Sequence, residues 1–208
     1  MSCRKYLLPA LVMVPLISVA GQTSSPSRWI EVLPTVGHLS SGPYFTGPGG
    51  IRFTNQDGFA YGGQLGVVVW KKLSLVGSVL HSTSDWSFRS VPILGTITVE
   101  RASLWFFDLG PRVTVPLGST SPVSLVAQAS AGVIQYSMDN PLFSGSAVNL
   151  AFSGGVGMLA RFGSRVSLLG LVKDYIASFR SVDDAEAFGV RGRRAHTVAL
   201  LLGLGVGW

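Results

Sequence analysis

Three observations predict an all-β chain folded as an eight-stranded antiparallel up-and-down transmembrane β-barrel. Large apolar side chains alternate with small or polar ones along stretch after stretch, the period of two expected of a strand lying between two different environments. The connections between these stretches alternate between short and long, as in a closed sheet built from hairpins. Charged residues make up 12% of the 208, while mean hydropathy is +0.43. Soluble domains carry about 25% charge, so this balance argues against an ordinary soluble enzyme. It also excludes a disordered chain, which needs low hydrophobicity or high charge.

The N-terminus reads as a targeting segment. Arg4 and Lys5 form a basic region, Tyr6 to Val19 an apolar run broken by Pro9 and Pro15, and Ser18-Val19-Ala20 a small-residue cleavage site. This is the layout of a secretory signal peptide. The domain organisation is therefore a signal peptide at 1–20, a short N-terminal segment at 21–27, and a barrel at 28–208. Cys3 is the single cysteine and leaves with the signal, so the mature chain is expected to hold no disulfide, no thiol nucleophile and no Cys-based metal site. No cofactor is expected. Removing Arg4 and Lys5 from 16 basic residues leaves 14 against 10 acidic, a net charge of +4. Arg191, Arg193 and Arg194 are the only basic cluster, and it is not interleaved with aromatics. No nucleic-acid partner is expected.

After residue 21 no stretch supplies the roughly 18 apolar residues of a membrane helix. Strands are expected near 28–39, 59–70, 73–84, 100–115, 122–136, 147–162, 164–179 and 195–208. In the fifth, Val123, Leu125, Ala127, Ala129, Ala131 and Val133 oppose Ser124, Gln128, Ser130 and Gly132. In the sixth, Leu150, Phe152, Val156 and Met158 oppose Asn149, Ser153, Gly155 and Gly157. The last is the clearest, with Val198, Leu200, Leu202, Leu204, Val206 and Trp208 alternating with Thr197, Ala199, Leu201, Gly203, Gly205 and Gly207. The third shows no clear face, because Leu75 and Val79 alternate with Val76 and Leu80. Pro34 and Pro111 remove ladder donors, so bulges or bends are expected there. Lys173 and Asp174 are adjacent, so one must face outward. Asp174 is assigned to the lumen, since a lysine stem snorkels more readily than a carboxylate.

Short connections fall at 71–72, 117–121 and 163–164, and long ones at 40–58, 85–99, 137–146 and 180–194. On this threading Trp29, Trp70, Phe162 and Trp208 collect at the short-turn end. Phe59, Tyr61, Trp86, Tyr136, Tyr175 and Phe179 collect at the long-loop end, giving two aromatic girdles. The long loops are the expected recognition surface, with Tyr44 and Phe45 as anchors in the first. The fourth sets Asp183, Asp184 and Glu186 near Arg191, Arg193 and Arg194.

The whole mature chain resembles the small eight-stranded OmpA/OmpX-type barrels of the bacterial outer membrane. Its end, Leu202-Gly203-Leu204-Gly205-Val206-Gly207-Trp208, resembles their C-terminal assembly signal, with Trp208 where Phe is commoner. The resemblance implies a monomer integral to the outer membrane of a Gram-negative cell envelope. It implies outer-membrane lipids and lipopolysaccharide as partners, and the barrel-assembly machinery as the reader of the strand ending in Trp208. No peptidoglycan-binding domain of the OmpA kind is expected.

A barrel of eight strands has room inside for side chains alone. Glu31, Gln64, Asp108, Arg112, Asn149, Arg161 and Asp174 are the expected lumen residues, forming a polar plug with opposite charges paired. His81 and Thr83 share one face near the long-loop end, with Asp85 or Glu100 in reach as orienting groups. In residue types alone this resembles outer-membrane lipid A deacylases and supplies an alternative, a lipid-modifying enzyme with His81 as base. His38 and His196 lie singly at strand ends without metal-ligand spacing. Gly154-Gly155-Val156-Gly157 precedes no helix, so it is not a nucleotide loop. The favoured reading has no catalytic, cofactor-binding or metal residues. It is a non-enzymatic barrel presenting four extracellular loops for adhesion, surface protection or partner contact, or serving membrane integrity.

Overall fold

The computed structural model describes residues 30–46, 52–55, 57–91, 95–140, 143–178, 191–192 and 194–208. The expected signal peptide and the 21–27 segment lie outside these residues, as do Trp29, Phe179, Asp183, Asp184 and Glu186.

Among the described residues every regular element is a strand. In chain order they are β1 (Ile30–Ser41), β2 (Pro43–Thr46), β3 (Arg52–Asn55), β4 (Gly58–Trp70), β5 (Leu73–Val91) and β6 (Gly95–Pro116). Then follow β7 (Val123–Asn140), β8 (Phe143–Phe162), β9 (Val166–Ser178), β10 (Arg191–Gly192) and β11 (Arg194–Gly207). Antiparallel ladders join β1, β4, β5, β6, β7, β8, β9 and β11 in a ring, and β11 returns to β1. Ile30 and Trp208 exchange both backbone hydrogen bonds, at 3.2 and 3.1 Å, which fastens the seam at the short-turn end.

Eight strands in eight antiparallel ladders is the expected fold. Burial then gives each strand its facing. In β11 the pattern alternates without a break, Ala195, Thr197, Ala199 and Leu201 inward and His196, Val198, Leu200 and Leu202 outward. Leu125, Phe152, Val156, Leu200, Leu202 and Leu204 all lie on the exposed outer face, as their alternation predicts. The third wall strand, ambiguous in sequence, resolves as Val76 and Leu80 inward, Leu75 and Val79 outward. Its neighbours in register force the choice, since Ser78 and Ser82 belong to the same inward set.

Two expectations about strand regularity change. Neither Pro34 nor Pro111 sits at a bulge. Pairing of β1 with β11 passes from Val32↔Val206 to Thr35↔Gly203 in one register, and β6 with β7 from Leu109↔Ala131 to Arg112↔Gln128 likewise. Each proline interrupts the ladder on one side only, and both stay in register with the strand on the other, opposite Gly63 and Leu75 respectively. Proline lacks one donor, so one flank suffices to absorb the loss. A register shift falls instead between Val68 and Trp70, and there Val69 and Trp70 are both exposed.

The second change concerns the long connections. Most of 85–99 is strand, paired as far as Val91↔Gly95, and 137–146 is strand to Asn140↔Phe143. With 19 and 22 residues, β5 and β6 far exceed the roughly 9–11 that cross a bilayer, so this hairpin projects beyond the wall. β3 adds to its edge through Asn55↔Trp86, β2 pairs β3, and β10 pairs β2 through Arg191↔Thr46. The ends of the first and fourth connections thus share one small sheet.

Glycine is required where strands crowd. A Cβ on Gly132 would meet the Phe107 carbonyl oxygen and the backbone of Asp108, and one on Gly110 the Ala129 carbonyl and Ser130. Gly163, at φ 61°, makes the tight turn between β8 and β9. Gly132→Val should therefore destabilise the barrel by about 1–3 kcal/mol, while Gly154→Ala, with nothing within 4 Å of the new Cβ, should leave it unchanged. Leu202→Arg should lose about 2–4 kcal/mol at the midplane. Denaturant titrations in lipid vesicles, read by heat-modifiable gel mobility, compare the three.

Candidate functional site

The lumen is layered along its axis, and β6 shows the order. From the long-loop end its inward residues run Leu104, Phe106, Asp108, Gly110, Arg112. The upper layer is apolar and aromatic. Phe106 and Tyr175 pack with ring centroids 4.7 Å apart, among buried Leu39, Leu104, Ile134 and Tyr136. Tyr44, from β2, turns back into this layer and is fully buried. Its hydroxyl donates to Ser41 Oγ at 2.7 Å and lies 2.9 Å from Thr197 Oγ1. Burial pushes the Tyr44 phenol above its usual range, against the pull of those two bonds. The first connection is therefore tied down into the barrel mouth.

Below lie two charge clusters. Lys173 Nζ donates to both oxygens of Asp108, at 2.7 and 2.8 Å, and to Ser78 Oγ at 3.1 Å. It also stands 4.9 Å from the Tyr175 ring centroid, a cation–π contact. Arg112 donates to Gln64 and, at 3.4 and 3.3 Å, to Gln128 Oε1. Its Nη1 pairs with Glu31 Oε2 at 3.5 Å, and Ser167 donates to the other Glu31 oxygen at 2.7 Å. Two cations meet two anions, as burial in a low-dielectric space demands.

Gln64, Asp108, Arg112 and Asn149 are buried as expected, and Glu31 is half-buried among them. Arg161 shares the inward register of β8 but sits half-exposed at the short-turn rim. Asp108 and Arg112 share a face as their spacing predicts, yet each takes its partner from across the barrel.

The assignment of Asp174 to the lumen is overturned. Lys173 is the buried member of the pair, and Asp174 faces outward with its Oδ2 2.9 Å from His196 Nδ1. The lumen already holds Asp108 on β6 and Glu31 on β1, so an inward Asp174 would add a third carboxylate and leave Lys173 in lipid. The outward carboxylate finds the histidine two positions along the neighbouring strand. The signal was there in the net lumen charge, but reading it needs the facing of β6 and β9 together.

Two aromatic assignments change as well. Tyr136 and Tyr175 are lumen residues, not girdle residues. Phe59, Tyr61, Trp70, Phe162 and Trp208 do face outward. The side-chain surroundings of Trp86 lie outside the described residues.

His81 is on the outer wall. It stacks on Trp105 at 4.2 Å, meets the edge of Tyr61 at 5.2 Å, and has Nδ1 3.2 Å from the Leu104 carbonyl. Phe59 and Phe107 extend this aromatic row. Thr83 shares the face, but the side chains of Asp85 and Glu100 lie outside the described ones. Among the described residues no carboxylate reaches His81, and no cluster of His, Cys, Asp or Glu assembles to hold a metal.

No protein-family model matches this chain, and no curated protein does either. Solved structures do. Neisserial surface protein A superimposes with a TM-score of 0.60 at 13% identity, covering 86% of this chain and 97% of its own. Outer membrane protein OprG from Pseudomonas aeruginosa gives 0.57 at 12% identity, over 87% and 96%. The outer membrane protein AlkL gives 0.54 at 12% identity, over 91% and 94%. The fold is that of the small outer-membrane barrels. Within that fold the short turns lie on the periplasmic side and the long connections outside, so the aromatic upper layer is the extracellular mouth and the charge clusters lie deeper.

Lys173→Met alone would leave the Asp108 carboxylate buried without its cation, and should destabilise by about 3–5 kcal/mol. Pairing it with Asp108→Leu should recover most of that loss. A double-mutant cycle of unfolding free energies measures the coupling.

Proposed function

We propose that this protein is a monomeric, non-enzymatic barrel of the bacterial outer membrane that acts through its extracellular end. Its segments 40–58, 85–99, 137–146 and 180–194 would serve adhesion, surface protection or partner contact, with the barrel itself lending membrane integrity. The filled lumen is the observation that carries this reading. Arg112 and Lys173, each held by a counter-ion, and the aromatic layer above them occupy the space an aqueous pathway would need. The projecting β5–β6 hairpin supports it from the other side, because its strands stay paired beyond the wall as far as Val91↔Gly95 despite two register shifts. The exposed apolar belt suits outer-membrane lipids and lipopolysaccharide as surroundings. The alternating strand that ends in Trp208 suits delivery by the barrel-assembly machinery.

Purified protein in planar bilayers should give no steady large conductance. Trimming the four extracellular segments should leave heat-modifiable mobility intact and abolish binding of cells or partners. A trimmed protein with undiminished activity would move the function into the wall.

A lipid-modifying enzyme is the second reading. Its favouring observation is the Asp174–His196 hydrogen bond on the outer face, a carboxylate–imidazole pair that His81 lacks among the described residues. Incubation with lipid A or phospholipid, followed by mass spectrometry, should show no acyl release. Release lost in His196→Ala or His81→Ala would establish the enzyme.

A further inference from the structure

The turn between β4 and β5 combines three features that the barrel architecture does not require. First, the register shift between Val68 and Trp70 breaks the alternation, so that Val69 and Trp70 both face outward, at 66% and 72% exposure. Bulges re-aim side chains in this way. Second, Lys71 and Lys72 follow at once and are exposed, and the Lys72 carbonyl accepts from Thr114 N at 2.9 Å, tying the turn to β6. Third, an open groove of about 330 Å³ lies between Trp70, Lys71, Lys72, Leu73 and Val113. Its walls are an indole and two aliphatic side chains, and its rim carries two ammonium groups.

The sequence holds no Asp or Glu from residue 58 to 84 or from 109 to 138, which covers the turn's own hairpin and the β6–β7 hairpin on one side of it, while β1 with Glu31 lies on the other. Glu31, the acidic side chain at this end of the lumen, is taken by Arg112 and Ser167. Arg161 and Arg165 flank the β8–β9 turn on the opposite side of the ring.

We propose that the β4–β5 turn is a binding site for one anionic phospholipid of the periplasmic leaflet. The lipid phosphate lies on Lys71 and Lys72, and the glycerol and upper acyl chain lie against Trp70, Leu73 and Val113. A cation pair beside an indole at headgroup depth suits an amphiphile better than a free anion, since half of the groove is apolar. A zwitterionic lipid carries its own cation and gains little there.

The full-length protein refolded into vesicles tests this through tryptophan quenching. Brominated phosphatidylglycerol is compared with brominated phosphatidylcholine at equal mole fraction, and Trp70→Phe subtracts the other tryptophans. The expected preference for phosphatidylglycerol is about fivefold per lysine, from about 1 kcal/mol per cation near an anionic headgroup. K71Q/K72Q should bring the two lipids to parity, K71R/K72R should keep the preference, and R161Q/R165Q should leave quenching at Trp70 unchanged. High salt should erase the preference in the unmodified protein, which gives the same readout without a variant. Heat-modifiable mobility checks each barrel separately, so failure of the barrel reading and failure of this site are distinguishable. Equal quenching by the two lipids, or a preference that survives K71Q/K72Q, overturns the proposal. Displacement by excess glycerol phosphate also overturns it, in favour of a free-anion site.

Discussion

Closure of the backbone ladder is the constraint from which everything else in this molecule follows. Hydrocarbon offers no partner to an N–H or C=O group, and each one left open costs several kcal/mol. A sheet in lipid can have no edge. Here the demand is met by pairing the first wall strand with the last, from Ser41↔Thr197 down to the mutual hydrogen bonds of Ile30 and Trp208. Once the ring is closed, one face of every strand belongs to lipid and the other to a narrow interior, so a single residue of slip would turn the whole apolar set inward. That is why the register holds across Pro34 and Pro111, and why the ladder lapses on one side of each proline without shifting.

Closure also sets the terms for the interior. Eight strands enclose a space that side chains must fill. A purely apolar filling would suit packing, yet this chain places Glu31, Asp108, Arg112 and Lys173 there. They coexist because every charge has a counter-charge and hydroxyl or amide partners from other strands: Ser78 for Lys173, Gln64 and Gln128 for Arg112, Ser167 for Glu31. Each pair joins strands distant in sequence, β6 to β9 and β1 to β6. The pairs therefore reward one relative placement of the wall strands as well as filling the lumen. Above them Tyr44 ties the first connection into the mouth through Ser41 and Thr197, so the aromatic cap and the charge layers form one continuous filling.

The two ends of the barrel differ in what they expose. At the extracellular end the ladder runs on beyond the membrane, with β2, β3 and β10 added at its edge. There the pairing of β5 and β6 continues through Trp86↔Val99, Ser87↔Thr98 and Phe88↔Ile97. At the periplasmic end the turns are tight, and bulky rings flank basic residues: Trp70 beside Lys71 and Lys72, Phe162 beside Arg161 and Arg165. On the outer wall His81 lies against Trp105 and Asp174 pairs with His196.

Strand number, the outward apolar set, the tight turns near 71–72, 117–121 and 163–164, and most of the lumen residues were legible in the amino-acid sequence. Each is a local pattern: a period of two in Leu200, Leu202 and Leu204, or a polar residue such as Gln128 recurring on the opposite face. What the sequence could not reveal is everything that depends on which distant residue lies alongside. Lys173 rather than Asp174 turns inward because Asp108 waits across the barrel. Tyr136 and Tyr175 fill the lumen because their registers point there, although their height alone suggested a girdle. The segments near 85–99 and 137–146 are strand because each finds a partner with which to continue the ladder. Facing in these places is decided by pairing energies between residues tens of positions apart, and those terms exist only once the ring has closed.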